Sequence, residues 1–184
     1  KIKEVCDKFA VLHRGGDTDL EKVHDKVCPA VSSDEAGEET NMPSSGCPLN
    51  YTTVGEYCFQ ALTTFLSFDQ SIEECQKTNG RLITIDTAEK NEAVMQFVTS
   101  LGMTGYKIMY IGLRDETGDN QDFRWLSDNS ALTFSNWDDD QPSAAAEQCG
   151  AISVGDSGPQ FGSWVDEACF FQLNGAICET DPTL

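Results

Sequence analysis

Apolar residues at Ile2, Val5, Phe9 and Leu12 recur at helical spacing, and after Gly15-Gly16 the pattern returns at Leu20, Val23, His24 and Val27. The spacing predicts a helical hairpin over residues 1–30, with Asp17 to Asp19 offering N-cap oxygens to its second helix. Residues 31–46, VSSDEAGEETNMPSSG, bury almost nothing and read as an acidic linker. Beyond Cys47 the pattern becomes that of a main domain, 47–180, with a short tail at 181–184. Phe68 to Asn79 places Ile72 and Cys75 on one side and stops at Gly80, a predicted helix. A strand is predicted from Arg81 to Ile85. A second amphipathic helix then runs from Thr87 to Leu101 with Ala93, Val94, Phe97 and Val98 on its apolar face.

Tyr106 to Leu113, dense in aromatic and branched residues, predicts a buried strand. After Asp115 the regular pattern gives way to a long acidic region anchored by Phe123, Trp125, Phe134 and Trp137. Such loops are uncommon unless they carry function. Short strands are predicted at Ala151–Val154, Phe161–Val165 and Gly175–Glu179. Helices first, acidic loops next and strands last make an α+β plan.

Charge and cysteine content narrow the classes. The 184 residues carry 12 Lys and Arg against 31 Asp and Glu, a formal charge of −19, so nucleic acid and anionic membranes are poor partners. No apolar run is long enough for a membrane span, and the chain opens at Lys1 without an export segment, so it reads as a mature, soluble chain. Eight cysteines spread along the chain, rather than gathered in Cys-x-x-Cys pairs, predict disulfides and hence a secreted, extracellular protein. Cys6 and Cys28 are placed to staple the hairpin, or to cross-link it to another chain; through it the protein is expected to assemble with itself or to dock on a protein partner. Asn50-Tyr51-Thr52 is an N-glycosylation sequon.

The landmarks of the main domain resemble a known family. Cys47-Pro48, Tyr57-Cys58-Phe59, Cys75, RLITIDTAEKNEA, YIGLRD, FSNW, QPS, EQC, SWVDEAC and GAICE follow the order and spacing of the C-type lectin-like domain. The resemblance implies two helices, small antiparallel sheets and a long irregular loop region. It also implies the pairings Cys47 with Cys58, Cys75 with Cys178 and Cys149 with Cys169, leaving Cys6 and Cys28 for each other.

Sugar-binding members of this family hold calcium through oxygen ligands and take two sugar hydroxyls directly onto the ion. Calcium accepts about six to eight oxygens. The resemblance places this site at Gln141, Ser143, Glu147 and Asp166, with a cis peptide before Pro142. Ser143 and Val165 stand where the family has longer oxygen-bearing side chains, so the set is short of ligands. Asp138, Asp139, Asp140 or water are the candidates to fill it. Gln141 leans toward galactose-type ligands, and Phe161 is the nearest aromatic to stack on a sugar face, set against a core role beside Trp164. An auxiliary calcium site is implied at Asp115, Asp119 and Glu147, also partial. Asp115 to Asp122 lacks the glycine and terminal glutamate spacing of an EF-hand.

The expected function is calcium-dependent binding of a glycan or glycoprotein, against a calcium-independent module for a protein or mineral surface. An enzyme is not expected, because no Ser-His-Asp or Cys-His set can be assembled in the main domain. His13 and His24 both fall in the hairpin.

Overall fold

A computed structural model of the chain describes residues 46–119, 122–143 and 146–183. The predicted hairpin, most of the linker and the Cys6 and Cys28 pairing lie outside the described residues. Helix α1 (Phe68–Gln76) begins at a reciprocal cap: Ser67 Oγ accepts the Gln70 N–H at 3.4 Å, and Gln70 Oε1 accepts the Ser67 N–H at 2.9 Å. It buries Phe68, Ser71 and Cys75 and ends sooner than its pattern suggests, with Asn79 in the left-handed region and the Gly80 N–H closing back on the Cys75 carbonyl. Helix α2 (Ala88–Ser100) starts at Thr87, whose hydroxyl accepts the Lys90 N–H at 3.1 Å. Its buried face is the predicted Ala93, Val94, Phe97 and Val98, extended by Lys90.

Eight strands form one sheet among these residues: β1 (Thr52–Val54), β2 (Tyr57–Leu62), β3 (Arg81–Leu82), β4 (Ile108–Asp115), β5 (Phe123–Trp125), β6 (Cys149–Ser153), β7 (Trp164–Glu167) and β8 (Ala176–Thr180). The main path runs β1-β2-β8-β4-β6-β7, with β3 on β8 and β5 on β4. Only β4 and β8 are parallel neighbours; the other pairs are antiparallel.

The predicted strands are displaced by a few residues, and the hairpin β1-β2 was not predicted. Its residues YCFQAL do not alternate, because Cys58 and Phe59 are both buried. The strand expected at Phe161–Val165 begins only at Trp164, since residues 155–163 form a turn in which Gly162 has φ +82°.

β4 explains why both faces of the sheet are apolar. Met109, Ile111 and Leu113 join Phe59, Val94, Phe97, Trp125 and Trp164 in one core, while Ile108 and Tyr110 join Phe68, Cys75, Cys149 and Val165 in the other. A strand buried on both sides reads as a continuous hydrophobic run. Within it Gly112 is required by close approach, because a Cβ there would sit 2.9 Å from the Leu82 carbonyl oxygen.

Trp125 and Trp164 are buried as expected and Trp137 partly so; the Trp125 and Trp137 rings both meet Trp164 edge-on, at 5.6 and 5.8 Å between centroids. The disulfides Cys47–Cys58, Cys75–Cys178 and Cys149–Cys169 are formed as the resemblance implied. One buried charge is fully engaged: Glu179 on β8 accepts from Lys90 at 2.5 Å, from Arg81 at 3.2 Å and from the Thr84 N–H at 3.1 Å. No helix among the described residues is long and apolar enough to cross a membrane.

Candidate functional site

The long loop is held to the sheet by its own backbone. Trp137 bridges to Trp164 at the head of β7: the Trp164 N–H donates to the Asn136 carbonyl at 2.7 Å, and the Asp138 N–H donates to the Trp164 carbonyl at 2.8 Å. A turn follows, closed by the Gln141 N–H on the Asp138 carbonyl at 3.1 Å, with Asp140 in the left-handed region that Asp and Asn tolerate. The Gln141–Pro142 peptide is cis, as the resemblance implied.

These contacts bring Gln141, Ser143, Glu147 and Asp166 together. Asp166, buried on β7, accepts the Ser143 N–H on both carboxylate oxygens, at 2.8 and 3.0 Å. The Asp166 N–H in turn donates to Gln141 Oε1 at 3.1 Å. The Ser143 hydroxyl donates to Glu147 Oε2 at 3.0 Å. Charge-assisted bonds of this kind are stronger than neutral ones, so Ser143 links the two carboxylates and fastens the loop to β7.

This arrangement bears directly on calcium. A donor nearly equidistant from both oxygens of Asp166 lies between them, where a cation chelated by that carboxylate has to sit. The Gln141 amide oxygen is directed at a backbone N–H rather than outward. Val165 is 4% exposed and packs with Tyr110 and Cys149, so its position adds core rather than a ligand. Asp138 does not lean into the set: its carboxylate receives the Gln160 N–H at 3.3 Å and ties the loop to the 155–163 turn. Asp139 and Asp140 are exposed. Among the described residues, no three His, Cys, Asp or Glu side chains gather as a metal-holding group. In this arrangement the residues present do not fit a bound calcium ion.

The auxiliary set is organised by Thr117. Asp115, nearly fully buried at the end of β4, has Oδ1 accepting the N–H groups of Thr117 and Gly118 at 2.8 and 3.1 Å. The Thr117 hydroxyl lies 2.7 Å from both Asp115 Oδ1 and Asp119 Oδ1, and its single proton serves one of them at a time. Asp115 therefore acts as the cap of a tight turn, and Glu147 makes its contact to Ser143 instead.

Sequence reasoning missed Glu167, which follows Asp166 at the end of β7. Partial burial pushes its carboxyl above the usual glutamate range, and the charges of Glu147 and Asp166 push it in the same direction. Three acids therefore share one electronegative corner. The only signal in the sequence was the adjacency of the two acids in SWVDEAC. Phe161 is 38% exposed rather than a core residue, because its turn carries it clear of Trp164. It remains accessible for stacking.

The model of the lectin C-type domain matches residues 64–180. A perlucin-like protein of Mytilus galloprovincialis is 27% identical over 136 residues, covering 73% of this chain and 78% of that protein. The cow C-type carbohydrate-recognition domain of CD23, solved in the presence of a GlcNAc2Man3 oligosaccharide, superposes with a TM-score of 0.62 at 24% identity, over 75% of this chain and 98% of that one. A calcium-independent type II antifreeze protein superposes with a TM-score of 0.60 at 18% identity, over 74% and 95%.

Proposed function

The chain belongs to the lectin C-type domain family, and on that premise we propose that it is an extracellular binding module, not an enzyme, that takes a glycan or glycoprotein on its long-loop surface without calcium shaping the loop. The observation that carries this reading is the Ser143 bridge, which joins Asp166 and Glu147 by hydrogen bonds where a sugar-binding relative would use a cation. The carboxylate, amide and hydroxyl groups of Glu147, Gln141 and Ser143 suit sugar hydroxyls, which both donate and accept. Phe161 supplies an exposed ring for an apolar sugar face. The fold is compatible with this mode, since one of its structural neighbours is itself a calcium-independent protein.

The competing reading, calcium-dependent binding with a galactose lean, rests on Gln141, Glu147 and Asp166 keeping oxygen-bearing side chains at the family's positions. A glycan array probed in chelator and again in millimolar calcium separates the two. Binding is expected to persist in chelator and to fall at least tenfold in Ser143→Ala. Binding that vanishes with chelator and returns with calcium supports the competing reading, and a blank array in both conditions leaves a protein or mineral surface as the ligand.

An extracellular chain is also expected to carry a glycan at Asn50. This residue is exposed, lies in the left-handed region at φ 76°, and sits in a turn closed by the Tyr51 N–H on the Pro48 carbonyl. It precedes edge strand β1, five strand positions from β7, roughly 24 Å across the sheet at about 4.8 Å per strand. A glycan there leaves the long loop open. In protein from a glycosylating host, an N-glycan-removing glycosidase should shift the electrophoretic mobility of the wild type and leave Asn50→Gln unmoved.

A further inference from the structure

A second surface lies in the connection from β7 to β8, which the Cys149–Cys169 bridge ties to β6. Phe170 is 76% exposed and Phe171 47%, and their rings meet edge-on at 4.8 Å between centroids. Phe65, 65% exposed, stands in the segment that pairs with this connection: Leu66 and Leu173 exchange both backbone hydrogen bonds, and the Phe68 N–H donates to the Cys169 carbonyl at 3.0 Å. Together the three rings expose on the order of 300–400 Å² of apolar surface.

The backbone beneath the rings is anchored. The buried Tyr110 hydroxyl is 3.0 Å from the carbonyls of both Ala168 and Phe171, and Cys169 is tied to β6. Large aromatic side chains held on a fixed backbone are what protein-binding hot spots are made of, because little conformational freedom is lost on contact. Nothing in the core requires Phe170 to be phenylalanine at such exposure.

Charge selects the occupant. No Lys or Arg occurs between residues 27 and 76 or after Arg124, so both segments that form the surface lack basic residues. Asp69 is exposed beside Phe68, and Glu167 is half-buried two residues before Cys169. Two copies of this surface would bring acid against acid.

We propose that Phe65, Phe170 and Phe171 form a docking surface for a basic protein segment, one that lays apolar side chains on the rings and sets Arg or Lys over their faces and against Asp69 and Glu167. Guanidinium groups gain from aromatic faces as well as from carboxylates, so both features of the patch act on the same partner.

The test uses the full chain and a synthetic amphipathic peptide of leucine and arginine, with leucine–glutamate and leucine–glutamine counterparts, titrated by fluorescence anisotropy at physiological salt. Binding is expected for the arginine peptide alone, weakened at least tenfold by Phe170→Ser/Phe171→Ser and unchanged by Asp139→Asn/Asp140→Asn, which removes exposed charge elsewhere. Equal weakening in both variants, or none in the phenylalanine variant, reduces the effect to general acidity and overturns the proposal. Concentration-dependent self-association lost in the phenylalanine variant assigns the surface to a second copy. Binding to zwitterionic vesicles in place of the arginine peptide assigns it to lipid; either result also overturns the proposal. Because the rings are exposed, both variants are expected to fold, which their circular dichroism checks.

Discussion

Replacing Cys75 and Cys178 together by alanine lowers the free energy of unfolding by about 4–5 kcal/mol, a loss the chain-entropy account assigns to a loop of about 100 residues. The bridge spans a sequence separation of 103 and ties α1 to β8, the strand that lies between β2 and β4. Both cysteines are fully buried in the same core cluster, so the unbridged protein also loses packing around Phe68, Leu82 and Tyr110. Without the link, the unfolded chain regains the freedom that its two ends had lost. Removing Cys47 and Cys58 is the control, since that bridge spans only 11 residues and the same account gives it less than about 3 kcal/mol. Denaturant unfolding followed by tryptophan fluorescence measures both. Equal losses in the two variants would contradict loop length as the cause.

The second large effect is a gain. In Ser143→Asp/Val165→Asn the loop regains a carboxylate and an amide oxygen at the positions where the family expects them. Without calcium the variant is expected to be less stable than the wild type by about 1–3 kcal/mol. The introduced asparagine side chain would place an amide in the site now held by Val165, which is 4% exposed against Tyr110 and Cys149, and an unpaired buried amide costs about that much. Calcium at a hundredfold excess over its dissociation constant then stabilises the variant by about 2.7 kcal/mol. The wild type should show no such response, because Val165 offers no side-chain oxygen and the one hydroxyl of Ser143 is already engaged with Glu147. Thermal unfolding in chelator and in calcium tests this. A variant as indifferent to calcium as the wild type would mean that the loop has been rebuilt beyond those two side chains. A wild type that calcium stabilises equally would reverse the reading of the Ser143 bridge.

The two predictions address different layers. The first concerns a bridge implied by the resemblance of the main domain and formed in the structure. The second concerns how four side chains that meet around the loop orient toward one another. A family likeness transfers positions along the chain; the direction of a lone pair is set by the neighbours it finds. Ser143 illustrates the difference. From the sequence it is a short ligand in a long ligand's place, whereas in the fold its backbone N–H and hydroxyl join Asp166 to Glu147.

By itself the sequence determined the α+β plan, the two helices, the central buried strand and the long acidic loop, because these depend on local spacing along the chain. It did not disclose the β1-β2 hairpin or the three-residue β5, where pairing partners far along the chain, rather than alternation, define the strand. Only the tertiary structure decided that Asp138 serves the 155–163 turn, that Phe161 faces solvent, that Val165 belongs to the second core and that Glu167 shares the acidic corner. Each of those outcomes turns on which residue stands across a non-local contact, a quantity that composition and periodicity along one chain do not contain.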